Sequence, residues 1–199
     1  MRILIIGANG TVGKAAATEL AKRHEVIRVG RSDGDIKADL TDRASIEAMY
    51  KAAGKIDAVV AATGHTHFGP LALMTEAQFR KGLDDKLMGQ VNLVLVGLGK
   101  LADGGSFTLT SGVTNRDPIR SGASAATCNS ALEGFVIGAS IEMPRGIRIN
   151  VVSPGLLEES AVKYDGFFPG HVPVPSARVG MAYAKSVEGA INGQIIKVD

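Results

Sequence analysis

Four consecutive aliphatic residues, Ile3 to Ile6, run straight into three glycines spaced three apart, Gly7-Ala-Asn-Gly10-Thr-Val-Gly13. No other feature narrows the fold of this chain as far. The aliphatic run reads as a buried strand. The glycines permit a tight turn, close approach of the backbone to a ligand, and close packing of whatever follows. A helical pattern follows at once from Thr11 to about Lys22, with Val12, Ala16 and Leu20 on one face. A strand that passes through a glycine turn into a helix N-terminus aims free N–H groups and a positive dipole end at one point. That arrangement suits a pyrophosphate.

The alternation continues to the end of the chain. Strands are expected at Glu25–Gly30, Asp35–Leu40, Asp57–Thr63, Ser106–Ser111, Ile147–Val152 and Gln194–Val198. Between them, Asp42 caps a helix carrying Ile46, Met49, Tyr50 and Ala53 inward and closed by Gly54. Thr75-Glu-Ala-Gln78 is a capping box opening one long helix, in which Phe79, Leu83, Leu87, Val91 and Leu95 recur every four residues. Ser124 to Met143 reads as a further helix rich in Ala, Ser and Gly, and Ser176 to about Gly189 as the last. Leu156–Pro175, with three prolines and two glycines, reads as a long functional loop. Apolar strands alternating with helices imply an α/β fold, a doubly wound parallel sheet covered on both faces. With no linker, charge block or low-complexity tract, residues 1–199 are expected to form a single domain with a substrate-side loop at about 156–175.

Composition removes several classes of function. The 22 basic and 20 acidic residues are interspersed, so no electrostatic footprint for nucleic acid stands out. Apolar stretches such as Val91–Gly99 are half of what a membrane span needs, and Met1–Gly7 lacks the shape expected of a signal peptide. One cysteine, Cys128, excludes a disulfide framework and fits a reducing, cytoplasmic setting. His65-Thr-His67 has no evident third ligand, so no metal site is expected.

The second strand bears on which dinucleotide would sit over the glycines. A free ribose 2′-hydroxyl usually meets an acid about 20 residues after the loop. Here the strand ends Val29-Gly30-Arg31-Ser32, and an Arg and Ser suit a 2′-phosphate, although Asp33 and Asp35 lie nearby. NADP(H) is therefore expected over NAD(H).

At this point the sequence resembles the short-chain dehydrogenase/reductase family along nearly its whole length. Asp39-Leu40-Thr41-Asp42 looks like the family's adenine-binding segment, and Ala61-Ala62-Thr63-Gly64 stands where the family has Asn-Asn-Ala-Gly. Glu142 to Gly155 resembles the stretch leading through the sixth strand into the Pro154-Gly155 turn beside the nicotinamide, and Gly193–Asp199 the last strand. The resemblance implies a Rossmann-type sheet in the order 3-2-1-4-5-6-7. It further implies a cofactor held by Gly7, Asn9, Gly10, Thr11, Val12 and Gly13 at the pyrophosphate, and by Arg31 and Ser32 at the 2′-phosphate. Asp39 and Leu40 would meet the adenine, Ala62, Thr63 and Gly64 the ribose side, and Pro154 and Gly155 the nicotinamide. It implies hydride transfer with a small carbonyl or alcohol substrate, and a homodimer or homotetramer.

The family's chemistry rests on a Ser, a Tyr and a Lys, with an Asn on the long helix, and this chain departs at all four positions. The Tyr position is Ala125, the Lys position Asn129, the Ser position Gly112 with Ser111 its neighbour, and the Asn position Lys86. Lys and Asn thus look exchanged between two helices. Proton transfer would need a substitute, for which Ser111, Lys86 and His67 are the candidates in that order. Tyr164, in the 156–175 loop, would line the pocket with Phe167 and Phe168. The competing reading is a redox sensor that binds NADP(H) and a protein partner without turnover.

Overall fold

The computed structural model of the chain describes all of residues 1–199. Seven strands form one sheet: β1 (Arg2–Ile6), β2 (Glu25–Gly30), β3 (Ile36–Lys37), β4 (Ile56–Ala61), β5 (Leu101–Thr110), β6 (Arg148–Pro154) and β7 (Ile195–Val198). Their spatial order is β3-β2-β1-β4-β5-β6-β7, and every pairing is parallel, the arrangement expected of a doubly wound α/β fold. The order reverses between β1 and β4, which opens a crevice at the C-terminal ends of those strands.

Alternate residues of each strand feed two separate cores, as the two-residue period of a strand requires. Leu4, Ile6, Val59, Phe107 and Ile149 pack beneath α2 (Arg43–Ala53), α4 (Gly89–Gly97) and α5 (Ala123–Ser140). Ile3, Ile5, Ala58, Val60 and Val152 pack on the other face beneath α1 (Thr11–Leu20) and α7 (Ser176–Glu188). Two of the three tyrosines serve these cores. Tyr50 donates from its hydroxyl to the Leu93 carbonyl at 2.7 Å, and the Tyr183 hydroxyl meets Thr110 Oγ1 at 2.5 Å. Burial drives both phenols well above their ordinary pKa, so neither ionises near neutrality.

Four segments differ from the expectation. β3 shrinks to two residues, and β5 starts earlier, at Leu101, because a register shift between Ile56 and Ala58 lets it pair before the buried run begins. The long helix is broken into α3 (Glu76–Gly82), a π-helical turn over Leu83–Met88, and α4. The 156–175 loop contains a short helix, α6 (Glu158–Ala161), and is pinned at its base where Leu157 pairs with Val174.

Candidate functional site

The glycine turn shows why nothing larger fits. Gly7 has φ +79, and a Cβ there would lie 2.5 Å from the Ala62 carbonyl oxygen. A Cβ at Gly13 would lie 1.9 Å from the Gly7 carbonyl oxygen, so Gly13 is buried and lets α1 rest directly on the turn. The helix starts at Gly10 with no side-chain cap and no acid in its first turn, whereas α2 has its first turn capped by Asp42, which accepts from Ala44 N–H at 2.9 Å. The bare N-terminus of α1 leaves its donors and dipole free for an anion. These residues fit the pyrophosphate of a dinucleotide.

Two clefts meet above this turn, sharing Ala62, Gly64 and His65. The first, about 460 Å³, runs from Gly7, Asn9 and Gly10 over Gly30, Arg31, Ala38, Leu40 and Thr63 to Asp85. The second, about 450 Å³, is reached by Thr11 and Val12 and is walled by Lys86, Ser111, Ala125, Asn129, Pro154 and Gly155. Gly155 is held there by its N–H donating to the Val198 carbonyl at 2.8 Å.

At the outer end of the first cleft, the Arg31 side chain is 59% exposed and its guanidinium leans on Asp85 at 3.4 Å and Asp39 at 3.5 Å. Ser32 lies outside the cleft lining; Asp33 takes that place, because the chain after Gly30 folds back and Asn9 Nδ2 donates to its carboxylate at 2.9 Å. Asp39 turns to the start of α2, where its carboxylate accepts from Thr41 N–H and Oγ1 and is thereby held below its ordinary pKa. Leu40 remains on the cleft wall.

The π turn distributes three consecutive charges in three directions. Asp84 is exposed, Asp85 faces Arg31 and His65, and Lys86 turns to the second cavity. A π turn inserts one residue and shifts the face of the helix that follows, a feature common at functional sites. Gly64 allows the approach, since a Cβ there would stand 2.7 Å from Lys86 Cα. Lys86 Nζ donates to the Ser111 carbonyl at 3.2 Å. From the opposite helix, Asn129 Nδ2 donates to the next carbonyl, that of Gly112, at 3.1 Å and to Thr114 Oγ1 at 2.9 Å. Lys86 and Asn129 thus flank one peptide turn at the end of β5. The side chain is half-buried because the cavity opens outward, but protein surrounds the ammonium, and this desolvation pulls its pKa down to about 8.

Ser111 Oγ does not face Lys86; it donates to Glu133 Oε1 at 2.8 Å, and Ser153 Oγ donates to the same oxygen at 3.0 Å. Arg116 completes the chain, donating to Ser153 Oγ at 2.6 Å and bonding Asp199. Glu133 therefore ties the ends of β5 and β6 from α5. Gln90 does the same for β4 and β5: Nε2 donates to the Thr63 carbonyl at 3.2 Å and the Thr110 carbonyl at 2.9 Å, while Oε1 accepts from Thr110 N–H at 2.8 Å. Sequence reasoning passed over both, although an amide or a lone acid inside an apolar helix is a signal of this kind.

His67 sits apart from Lys86 and Ser111, in an adjoining polar groove with Arg31, Thr41 and Lys81. Tyr164 lines the Lys86 cavity with Phe168, their rings edge-on at 6.0 Å, whereas Phe167 lies outside it. Ala125 is on the wall, where it leaves space and no proton. No three metal-ligating side chains cluster, and no helix is long and apolar enough to cross a membrane.

Fold and site together define a dinucleotide-binding Rossmann-type protein, and comparison with known proteins gives its family. Residues 1–170 match the family model described as enoyl-(acyl carrier protein) reductase, and the chain belongs to the short-chain dehydrogenase/reductase family. It is 28% identical over 177 residues to the hydroxynaphthalene reductase-like protein Arp2 of Metarhizium brunneum, covering 76% of this chain but only 66% of that protein. It is 25% identical over 167 residues to the cyclic-di-GMP-binding biofilm dispersal mediator protein of Escherichia coli, covering 83% of this chain and 69% of that one. Among solved structures, protein lin1944 of Listeria innocua superposes with a TM-score of 0.99 at 51% identity over the full length of both chains. A small-chain dehydrogenase solved in complex with NADPH superposes with a TM-score of 0.87 at 25% identity, covering 100% of this chain and 96% of that one.

Proposed function

We propose that the chain is an NADP(H)-dependent oxidoreductase that interconverts a small carbonyl compound and its alcohol, with Lys86 moving the proton. One observation carries the reading: an ammonium stands on the wall of the cavity that adjoins the glycine turn, with no residue at the Tyr position able to donate. Backbone groups of Gly7, Asn9, Gly10, Thr11 and Val12 hold the pyrophosphate, with Gly13 supporting them from below. Leu40 covers the adenine, Thr63 and Gly64 flank the ribose, and Pro154 and Gly155 close the nicotinamide side. When bound, the nicotinamide supplies or removes the hydride.

The chain's residues do the rest. As the carbonyl carbon gains its electron pair, the C=O pair moves onto oxygen, and Lys86 Nζ gives that oxygen a proton. The neutral amine regains one from water. Ser111 does not share this task, since its hydroxyl is committed to Glu133. His67 has no part either, being outside the cavity. Arg31 takes the 2′-phosphate in exchange for its loose contacts with Asp39 and Asp85, and the relative solved with NADPH supports that preference. Self-association through the outer face of α4 and α5, where Leu95, Ile137 and Ile141 are exposed, fits the same reading.

The test is NADPH consumption against aldehydes, ketones and quinones as a function of pH. Because the donor is charged only below about 8, reduction is expected to be flat at low pH and to fall about tenfold per pH unit well above that value. In Lys86→Met that limb should vanish with most of the rate. Arg31→Ala should weaken NADPH about tenfold while leaving NADH unchanged. The second reading, cofactor binding without turnover, draws on Ala125 and on the fully occupied Asn129 amide nitrogen. Tight NADPH binding with no consumption of any substrate would favour it.

A further inference from the structure

The Lys86 ammonium lacks a counter-ion. None of the 21 residues lining its cavity is an Asp or Glu, and the Cys128 thiol on α5 is pushed up by burial and offers no anion. The neighbouring acids of its own helix face elsewhere, Asp85 toward Arg31 and His65 and Asp84 toward solvent. Glu133 on α5 turns its Oε1 to the hydroxyls of Ser111 and Ser153. Of the three N–H bonds of Lys86, one goes to the Ser111 carbonyl. Desolvated charges are costly unless paired, so native proteins pair them. Here the partner must enter with the ligand. The remaining walls describe its body: Val113, Leu156 and Leu157 are apolar, and Phe68, Tyr164 and Phe168 offer aromatic surface near the mouth. Such walls suit a flat, conjugated skeleton.

We propose that the Lys86 cavity selects a planar, conjugated oxyanion, a ligand that either carries a carboxylate or becomes a phenolate on reduction, with Lys86 as its counter-ion. As a statement about substrate this deepens the reductase reading and rests on it. The chemistry balances without a further reagent. The electron pair entering a quinone-type carbonyl compound displaces a π pair onto oxygen, and the resulting phenolate is held against the ammonium until it takes a proton from Lys86 or water. A saturated ketone yields an alkoxide, a far stronger base that takes the Lys86 proton at once and leaves no lasting ion pair.

The experiment separates binding from turnover. Cinnamate and its neutral isostere cinnamamide are titrated calorimetrically at pH 7 into the cofactor-free protein and into Lys86→Met, with thermal unfolding as the check on folding. Wild type should bind cinnamate at least about tenfold more tightly than the amide, the worth of one desolvated charge-assisted bond. Lys86→Met should bind the two alike. If that variant does not fold, wild type at pH 10 replaces it, where the preference should have collapsed. Equal affinities in wild type, or a preference that survives in Lys86→Met or at pH 10, overturn the proposal. A charge preference together with no NADPH consumption on any carbonyl compound would bring down the reductase reading alone. Turnover without the preference would bring down the cavity assignment alone.

Discussion

Replacing Lys86 with Met should make the protein more stable at neutral pH, although it removes the group assigned to proton transfer. Met matches the length of the Lys stem and carries no charge, so the substitution isolates the ammonium. Burial lowers the Lys86 pKa from the ordinary 10.5 to about 8. Below pH 8 the group is protonated in both folded and unfolded chains, and the fold bears the whole cost of desolvating it. The fall from 10.5 corresponds to about 3 kcal/mol, at about 1.4 kcal/mol for each tenfold change in the proton equilibrium. Water in the open cavity screens part of this, and the Ser111 carbonyl loses a partner worth about 1 kcal/mol. A net gain of about 1–2 kcal/mol remains at pH 7. As pH rises through 8 toward 10.5, the folded state releases its proton first, the unfolded state binds more protons, and wild type gains stability relative to the variant. Urea unfolding of both proteins at pH 7, 8.5 and 10 reads the difference directly. A variant less stable than wild type at pH 7, or a gap unchanged by pH 10, would show that the ammonium is well solvated and that its placement on the cavity wall has been misread.

Two further substitutions test the supports of the site. Gly13→Ala places a Cβ 1.9 Å from the Gly7 carbonyl oxygen, and the turn must shift; a loss of about 1–3 kcal/mol in urea unfolding is expected, with NADPH fluorescence enhancement abolished. Glu133→Ala strands the Ser111 and Ser153 hydroxyls and should cost about 1–3 kcal/mol, whereas Glu133→Gln keeps an acceptor oxygen and should cost less than half as much. Equal losses in the two Glu133 variants, measured by chemical denaturation, would mean that the carboxylate acts by some other contact.

What could be read from the sequence was what local physics dictates. The aliphatic run into Gly7, the Asp42 and Thr75 caps, and the alternation of strand and helix all act within a few residues, and each is present where expected. The π turn was not legible. Phe79, Leu83, Leu87, Val91 and Leu95 keep a four-residue step through it, and a π turn changes the hydrogen bonding of a helix without changing its composition. Asp33 rather than Ser32 lines the cleft because the reversal after Gly30 depends on the contact with Asn9, 24 residues away along the chain. Glu133 gave no local signal of its role; its partners Ser111 and Ser153 lie 22 and 20 residues off, brought together by the sheet.

The Lys86 and Asn129 pair shows where sequence and structure together say more than either alone. Compared with the family pattern, the two residue types look exchanged, and by itself an exchange at two positions is as easily decay as design. The structure places both side chains on the consecutive carbonyls of Ser111 and Gly112, from opposite helices. A decayed site has no reason to keep a cation so near its old position, because a lysine freed of its task lowers its energy by turning to water. Lys86 instead stays on the cavity wall at a cost in stability, and Gly64 leaves room for it by lacking a Cβ. A cost retained in the folded state at the mouth of a cofactor cleft is what a functional charge shows. The stability of Lys86→Met and its response to pH therefore bear on function as well as on folding.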